Sequence, residues 1–480
     1  MQEEEIKELV ARIGRKKTEE QTVELKAAHQ GFPHKIYDTL SSFSNQDEGG
    51  IIVFGVDENA DYQPVGVYDA NDVQRKIMEA CDQMSPKVRA LITVGEVDEK
   101  KIVTAEIPGV AFASRPVYYR GAGRLKGSYV RVGDADEPMS EYEVYSYEAF
   151  RKRIKDDLRP VEAAKVSLFQ KEVLDRYLEA VKKERVNIAE NCTDEQILEL
   201  MGITADGIST LAGVMTFSLY PQAYFPQLCI TAVVVPGTKI SDTAEDGARF
   251  IDNERITGSI GEMADAAVAF VQRNMRTKTI INQDGRRQDK DEYPIKAVRE
   301  AILNMLIHRD YSIYTENIPS SIEMYRDRIV FRNCGGLFGA ASVELLGRIR
   351  PETRNAALAN MLELLKITEN RYSGIPTIYK ELEKAGLPEP VFDVRHGEFT
   401  VTFYNDIYQA VEEIDKSDLN KAILQYCQKP RTREEIISFT HMSRYYTMKK
   451  YIFPLVQSGQ LALTLPDKPK SRNQKYYTVG

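Results

Sequence analysis

Three polar side chains with complementary chemistry stand one helical turn apart in the second half of the chain. Glu300, Asn304 and His308 occupy positions i, i+4 and i+8, so a helix would align a carboxylate, an amide and an imidazole on one face. Together these groups offer the hydrogen-bond donors and acceptors that a polar ligand needs. The alternative interpretation is a half-exposed helix whose polar groups are satisfied by neighbouring side chains.

Glycines follow this segment, and glycine lets a backbone approach a phosphate closely. Gly335 and Gly336 come after an apolar run, and Gly374 belongs to a second, weaker glycine segment. A turn that needs a positive φ angle is the simpler explanation of such residues. The polar helix face set against these three glycines is the predicted ligand site.

The element that must carry the polar face is a buried helix within residues 292–312. Pro294 suits a first helical turn because its missing N–H would have no partner there. An apolar stripe then recurs with helical spacing, formed by Ala297, Val298, Ala301, Ile302, Met305 and Leu306. Residues 320–336 predict two strands around a tight turn at Arg326 and Asp327, which lead to the glycine pair.

The runs REAILNMLIHRDYS (residues 299–312) and DRIVFRNCGGLFG (residues 327–339) resemble the bacterial AlbA/Schlafen-domain transcriptional regulators, often labelled RecG-like helicases. The resemblance implies a GHKL-type nucleotide-binding fold with ATP and Mg²⁺ as cofactors. It also implies that Glu300 corresponds to a water-activating carboxylate of an ATPase and Asn304 to a magnesium-holding amide.

The chain departs from a working GHKL ATPase at two places. Where those enzymes carry an aspartate-x-glycine-x-glycine loop, this chain has Asn333, Cys334, Gly335 and Gly336, and only Gly374 remains of a glycine-threonine-glycine segment. These departures favour an adenine nucleotide as a weakly bound regulatory ligand. No G-x-x-x-x-G-K-[S/T] phosphate loop occurs, which argues against a true helicase.

The N-terminal part predicts alternating helices and strands. Residues 3–17 predict a helix with apolar spacing, a strand follows, and residues 44–66 predict a loop, a strand and a hairpin. This order resembles the Schlafen-type AlbA domain. In nuclease members of that family, three metal-binding carboxylates match Glu19, Glu24 and Asp57, and carboxylates that converge on a divalent ion can activate water. The alternative is an ordinary solvated turn.

Aromatic and basic residues interleave in a predicted hairpin of residues 115–140. Cations neutralise phosphates and rings stack on bases, and the candidates are Tyr118, Tyr119, Arg120, Arg124, Lys126, Tyr129 and Arg131. A half-buried strand, with Tyr129 and Arg131 on one face, fits the same pattern. Further on, residues 203–237 predict two strands separated by a proline-containing turn.

Composition limits the class of protein. A length of 480 residues predicts two to four domains. The charged N-terminus and the lack of any long apolar run predict a cytoplasmic protein. Five scattered cysteines and five unpaired histidines predict free thiols and no zinc site.

The C-terminal end is strongly basic. Residues 421–480 carry eleven Lys and Arg against three Asp and Glu, a net charge of +8, although the whole chain carries −8. Such asymmetry indicates a nucleic-acid-binding module, and a solvated basic surface is the alternative. Thr432 and Ser443 are predicted caps of the second and third helices of a winged helix. The predicted DNA contacts are Arg444, Tyr445, Lys449, Lys450, Lys468, Lys470, Arg472 and Lys475.

The predicted fold class is therefore a multidomain α+β protein. Residues 1–150 are predicted to form a Schlafen AlbA-type nucleic-acid-binding α/β domain. Residues 151–415 are predicted to form a helical connector and a GHKL-like α/β sandwich, similar to the RecG C-terminal domain. Residues 416–480 are predicted to form a winged helix-turn-helix.

The predicted function is that of a DNA-binding transcriptional regulator, modulated by a nucleotide at a degenerate GHKL-like site. The alternatives are a Schlafen-like metal-dependent nuclease and an ATP-hydrolysing enzyme that processes nucleic acid. DNA is the first predicted partner. RNA and a second copy of the chain stay open as further partners, and no membrane partner is predicted.

Overall fold

The computed structural model describes residues 1–281, 287–339, 343–348, 352–368, 373–395, 397–405, 419–440, 447–465 and 474–479. The chain divides into two compact units, Met1–Asn405 and Asp406–Gly480. Both contain helices and strands, in agreement with the predicted mixed α+β class.

The N-terminal part of the first unit is built on a four-stranded sheet between two layers of helices. Ile52 and Phe54 pack with the second and third helices, whereas Val53 packs with the first. Because both faces are covered, this central strand is an unbroken apolar run. The elements are α1 (Glu3–Lys16), β1 (Val23–Lys26), α2 (Ile36–Ser44), β2 (Gly50–Phe54), β3 (Val56–Asp57), β4 (Gln63–Pro64), α3 (Ala70–Asp82), β5 (Met84–Ser85), β6 (Leu91–Val97), β7 (Lys100–Ile107), β8 (Tyr118–Tyr119), α4 (Gly123–Gly127), β9 (Tyr129–Val132), β10 (Ala135–Pro138) and α5 (Glu141–Lys152).

The order of strands in this sheet is β1-β2-β7-β6. The first pair is parallel and the other two pairs are antiparallel. The predicted first helix, the strand after it and the strand near residue 52 are all confirmed. The helix α5 begins at a capping box in which Ser140 and Glu143 satisfy each other's backbone N–H groups.

The rest of the first unit holds a second, larger sheet. Its elements are α6 (Lys171–Glu184), α7 (Val186–Asn191), α8 (Asp194–Leu200), β11 (Thr204–Ala205), β12 (Ile208–Ser209), α9 (Leu211–Phe217), β13 (Ile230–Val234), β14 (Asp252–Ile256), α10 (Ile260–Asn274), β15 (Thr277–Ile281), β16 (Arg287–Asp291), α11 (Ile295–Ile307), β17 (Ser320–Met324), β18 (Arg328–Cys334), α12 (Ala356–Leu364), α13 (Gly374–Ala385), β19 (Val391–Arg395) and β20 (Glu398–Tyr404).

This six-stranded sheet has the order β14-β13-β17-β18-β20-β19. Its strands bury alternate residues, as Ile322 and Met324 do in β17. Such alternation is typical of a sheet with one covered face. Helices α10 and α11 pack on that face, and α13 packs on α11. The predicted helix is thereby confirmed, with Pro294 at its N-cap and the apolar stripe buried.

One predicted strand in residues 203–237 is wrong. Residues Leu211–Phe217 form α9, and the hydroxyl of Thr210 caps it by accepting a hydrogen bond from the Gly213 N–H at 3.1 Å. All seven residues of this helix are buried. A short apolar run buried on every side has no periodicity that distinguishes a strand from a helix.

The second unit has its own small core and sheet. Its elements are α14 (Leu419–Tyr426), β21 (Arg431–Thr432), α15 (Arg433–Thr440), a π-helical turn (Met448–Ile452), α16 (Phe453–Gln457), β22 (Leu461–Leu463) and β23 (Lys475–Thr478). The strand order is β21-β23-β22. The predicted cap at Thr432 is confirmed, because its hydroxyl accepts from the Glu435 N–H at 3.2 Å. Ser443, the other predicted cap, lies outside the described residues. Every described helix of the chain is too short or too polar to cross a bilayer.

A buried carboxylate connects distant parts of the first unit. Asp157 accepts hydrogen bonds from the N–H groups of Ala357 at 2.9 Å and Leu358 at 3.2 Å, and so caps α12. We expect Asp157→Ala to lower the free energy of unfolding by about 1–3 kcal/mol, because both N–H groups lose their acceptor. Urea unfolding would measure the loss. Asp157→Asn keeps an acceptor oxygen and should stay within about 1 kcal/mol of wild type. An equal loss in both variants would contradict the cap.

Candidate functional site

A cavity of about 100 Å³ lies at the C-terminal end of α11. Four of the predicted site residues line it, namely Asn304, His308, Gly335 and Gly336. The helix supplies the first two, and the turn after β18 supplies the glycines. The predicted juxtaposition of a polar helix face with a glycine pair is therefore present in the fold.

Glu300 and Gly374 meet at a different place, the contact between α11 and α13. A Cβ atom at Gly374 would lie 2.8 Å from Glu300 Oε2 and 3.1 Å from Asn304 Nδ2. Only glycine allows the start of α13 to come so close to these side chains. Asn304 thus touches both places, whereas Glu300 does not line the cavity.

The amide of Asn304 has unused hydrogen-bonding capacity. Its Nδ2 atom is buried and has no hydrogen-bond partner among the described residues. An unpaired buried donor costs roughly 1–3 kcal/mol. A ligand that accepts a hydrogen bond here would recover that cost.

His308 follows the last residue of α11 and faces the same cavity. The residue as a whole is exposed. The protein atoms packed around it, and then the Arg354 guanidinium, nevertheless lower the pKa of His308. The imidazole is therefore neutral at physiological pH and can donate one hydrogen bond and accept another.

The backbone at Gly335 has a conformation that a side chain would disturb. Its φ angle is +96°, and a Cβ atom would lie 2.8 Å from Asp310 Cβ and 2.9 Å from Arg354 Nη1. The Gly335 N–H donates to the carbonyl of Gly397 at 2.7 Å. At this position the positive φ angle explains the glycine, and the close approach of its backbone to Asp310 and Arg354 adds a second reason.

Sequence reasoning missed a buried polar network behind the cavity. Asp310 is 2% exposed and forms an ion pair with Arg354, which lines the cavity. The hydroxyl of Tyr142 donates to Asp310 Oδ2 at 2.8 Å. Burial alone would raise the pKa of Asp310, but the Arg354 charge and the hydrogen bonds from Ser312 and Tyr142 lower it. No local pattern could have connected these residues, because they come from three distant segments.

The carboxylates predicted for the N-terminal domain surround an arginine. Arg131 lies 2.9 Å from a Glu24 oxygen, 2.8 Å from Asp136 and 3.7 Å from Glu19. Burial and then the Glu24 charge raise the pKa of Glu19 to about 8, against the weaker effect of Arg131. Asp57 instead caps a short turn by accepting from the Asn59 N–H at 2.9 Å. Within the described residues, no three His, Cys, Asp or Glu side chains are arranged to hold a metal ion.

The interpretation of Arg131 as a nucleic-acid contact is wrong, because its side chain is only 1% exposed. Three carboxylates hold its guanidinium inside the domain, so the strand β9 turns this cation inward. Val132, on the opposite face of the strand, is 51% exposed. Arg131 is consequently unavailable to a phosphate.

The predicted DNA contacts are described only in part. Lys475 is exposed on β23, and Lys449 and Lys450 belong to the π-helical turn. The other predicted contacts lie outside the described residues: Arg444, Tyr445, Lys468, Lys470 and Arg472.

Comparison with known families gives two matches. Residues 19–140 match the family described as Schlafen, AlbA_2. Residues 319–403 match the family described as putative ATP-dependent DNA helicase recG C-terminal. The first match contains the carboxylates around Arg131, and the second contains the glycines of the cavity. Both confirm the resemblance to AlbA/Schlafen and RecG-like proteins.

Solved structures that are similar to the chain include the following two. The crystal structure of the DIP2311 protein from Corynebacterium diphtheriae shares 18% identity, with a TM-score of 0.40, over 95% of this chain and 93% of that one. The solution structure of the N-terminal domain of a putative ATP-dependent DNA helicase RecG-related protein from Nitrosomonas europaea shares 24% identity, with a TM-score of 0.23, over 28% of this chain and 92% of that domain. No curated protein matches the chain. The chain thus combines a Schlafen AlbA_2-type region with a region similar to the RecG C-terminal family.

Proposed function

We propose that the protein is a DNA-binding transcriptional regulator whose C-terminal unit contacts duplex DNA and whose central cavity takes an adenine nucleotide. The observation that carries the DNA assignment is the charge of residues 421–480, which is +8 in a chain of net charge −8. Cations concentrated on a small unit neutralise phosphates and supply most of a protein's affinity for nucleic acid. The matches to nucleic-acid-associated families support this assignment.

The arrangement of the second unit supports a winged helix. The described elements follow in the order helix, strand, helix, a π-helical turn that continues into a short helix, and two strands, with a three-stranded sheet. In such a unit, the third helix enters the major groove. Arg444 and Lys449 would then contact bases or phosphates, and Lys468, Lys470 and Lys475 would follow the adjacent backbone.

The strength of DNA binding should depend steeply on salt. If about seven cations contact phosphates, the logarithm of the affinity should fall with the logarithm of salt concentration at a slope of roughly −6. Lys475→Ala should flatten the slope by about one unit. Mobility-shift titrations of the full chain would measure both, with Lys239→Ala, an exposed lysine of the first unit, as the matched control. A chain that ends at Asn405 should lose most of its affinity for duplex DNA. Full affinity in that variant would contradict the assignment and indicate that the AlbA-type region binds the nucleic acid.

The nucleotide assignment depends on the unpaired Asn304 amide beside the glycines. A nucleotide brings phosphate oxygens that accept from Nδ2, and Asn304 Oδ1 is the oxygen that would hold Mg²⁺. We expect micromolar binding of ATP with magnesium in calorimetry, and about a tenfold or greater loss in Asn304→Ala. Asn191→Ala, on the exposed side of α7, should bind as wild type does. Rapid ATP turnover that disappears in Glu300→Ala would instead reveal an ATPase.

Metal-dependent cleavage of nucleic acid at Glu19, Glu24 and Asp57 is a second candidate. One observation favours it, the closeness of Glu19 and Glu24, whose mutual repulsion a bound cation would relieve. Arg131 already provides such a cation. Cleavage of labelled DNA or RNA that needs Mg²⁺ or Mn²⁺ and vanishes in Glu24→Ala would favour the nuclease over the regulator.

A further inference from the structure

The cavity beside α11 is too small for the ligand that its residues suit. Its volume is about 100 Å³, whereas sites for small molecules usually enclose roughly 300–1,000 Å³. A nucleotide can enter only if part of the wall moves. Asn304 belongs to a helix packed in the core and His308 directly follows it, so this part of the wall is held in place. The part of the wall contributed by loops is the part that can move.

Two cavity residues from such loops are in contact with each other. The Arg354 guanidinium lies over the Phe338 ring, 5.1 Å from its centroid. Phe338 follows β18, and Arg354 precedes α12. Both line the cavity, so a ligand that widens the cavity on this side displaces this pair.

The other side of the pair rests on α5. The ring of Phe150 packs edge-on against Phe338 at a centroid distance of 5.3 Å. A Cβ atom at Gly339 would lie 2.8 Å from the same Phe150 ring. From the same helix, Tyr142 donates to Asp310, the buried partner of Arg354. The helix α5 therefore contacts Phe338 near its C-terminal end and Asp310, the partner of Arg354, near its N-terminal end.

The same helix also contacts the AlbA-type region. Phe150 and Tyr147 pack on Phe112 at centroid distances of 5.2 and 5.0 Å. Phe112 lies in the turn that follows β7 of the four-stranded sheet. Glu148 of α5 forms an ion pair with Arg124 of α4. One short helix thus touches the cavity wall and two elements of residues 19–140.

We propose that α5 transmits the occupancy of the cavity to the AlbA-type region, through the contacts of Tyr142 with Asp310 and of Phe150 with Phe338. The ligand displaces Arg354 and Phe338, the helix shifts with them, and the turn at Phe112 moves with the helix. The cavity then acts as the regulatory site for residues 19–140. This inference depends on the nucleotide binding proposed above.

Amide hydrogen exchange of the full-length protein, with and without ATP and magnesium, tests the transmission. In wild type, the nucleotide should change exchange rates in Glu141–Lys152 and in Phe112–Ser114 by about fivefold or more. Tyr142→Phe removes only the hydroxyl that reaches Asp310. It should keep the calorimetric affinity within about threefold and lose a measurable part of the change at Phe112–Ser114, because the contact of Phe150 with Phe338 remains.

Tyr145→Phe is the matched control, because Tyr145 lies on the same helix and donates to Asp156 instead. In Tyr145→Phe, the nucleotide should change the exchange rates at Phe112–Ser114 as much as it does in wild type. Binding of nucleotide without any change at Phe112–Ser114, or an undiminished change in Tyr142→Phe, would overturn the proposed transmission while the nucleotide assignment stands. A lack of calorimetric heat would overturn the nucleotide assignment itself, and the inference with it.

Discussion

Replacement of Arg131 with methionine is expected to lower the free energy of unfolding by about 3–5 kcal/mol, the usual effect of removing one partner from a buried ion pair. Methionine fills a similar volume, so packing changes little. The carboxylates of Glu24, Asp136 and Glu19, at 2.9, 2.8 and 3.7 Å, would lose the cation that they surround. Their charges would then remain buried with Lys26 as the remaining cationic partner of Glu24.

The pH dependence separates this effect from a simple loss of packing. Without Arg131, the folded-state pKa of Glu19 rises further above its unfolded value, because the cation that lowers it is gone. A carboxyl group with a raised folded-state pKa leaves stability intact below its unfolded pKa and reduces stability as pH rises toward the folded-state pKa. Glu19 already has a pKa raised to about 8 in the wild type. The deficit of Arg131→Met should therefore be small near pH 4 and largest above pH 8.

Urea unfolding at several pH values would measure this deficit. Arg395→Met is the matched control, because Arg395 is 76% exposed and pairs with Asp393 on the surface. That change should cost less than about 1 kcal/mol. If Arg131→Met loses the same free energy at pH 4 and pH 8, the carboxylates are not what Arg131 stabilises.

Substitution of Gly335 by alanine should cost about 2–5 kcal/mol. The backbone there has a φ angle of +96°, which costs a residue with a Cβ atom about 1–2 kcal/mol. The new methyl group would also press on Asp310 and Arg354 at under 3 Å, and such overpacking adds about 1–3 kcal/mol. Nucleotide binding should weaken as well, because the turn lines the cavity.

A second glycine provides the control for this substitution. Gly386 ends α13 with a φ angle of +69°, and a Cβ atom there would meet no atom within 4 Å. Gly386→Ala therefore has the backbone cost without the overlap, about 1–2 kcal/mol. Thermal unfolding of both variants would compare them. Equal destabilisation would show that the approach of Asp310 and Arg354 to Gly335 has no energetic consequence.

Local signals explain which parts of the fold the sequence could predict. The helix α11 has an uninterrupted apolar stripe, and β17 and β18 flank a short turn, so each is encoded by neighbouring residues. By contrast, α9 is apolar on all sides, and two of the three carboxylates around Arg131, Glu19 and Glu24, come from more than a hundred positions away. Periodicity carries no information about either case, since both depend on what packs around them in three dimensions.

The candidate site likewise contains residues that local spacing predicts and residues that only the fold brings together. Asn304 and His308 share a helix face by spacing alone, and the structure brings them to Gly335 and Gly336. Glu300, one turn earlier, meets Gly374 instead, because α13 begins against that part of the helix. The contact of Tyr142 with Asp310 joins residues 168 positions apart. The functional roles assigned to all these residues remain predictions.

The capping of α12 by Asp157 has a consequence for the order of events during synthesis. The two partners, Asp157 and Ala357, are 200 positions apart. At about 5–20 residues per second, roughly 10–40 s pass between their appearance at the ribosome. Within that time β13, which aligns Ile230 with Ser320 in parallel, has no neighbour on that side for roughly 5–18 s. All four strands of the N-terminal sheet lie between Val23 and Ile107, so this sheet needs no segment that is synthesised later. The nascent chain therefore presents a finished N-terminal sheet together with an apolar strand that β14 can pair on one edge only, and its open edge is a surface to which a chaperone can bind.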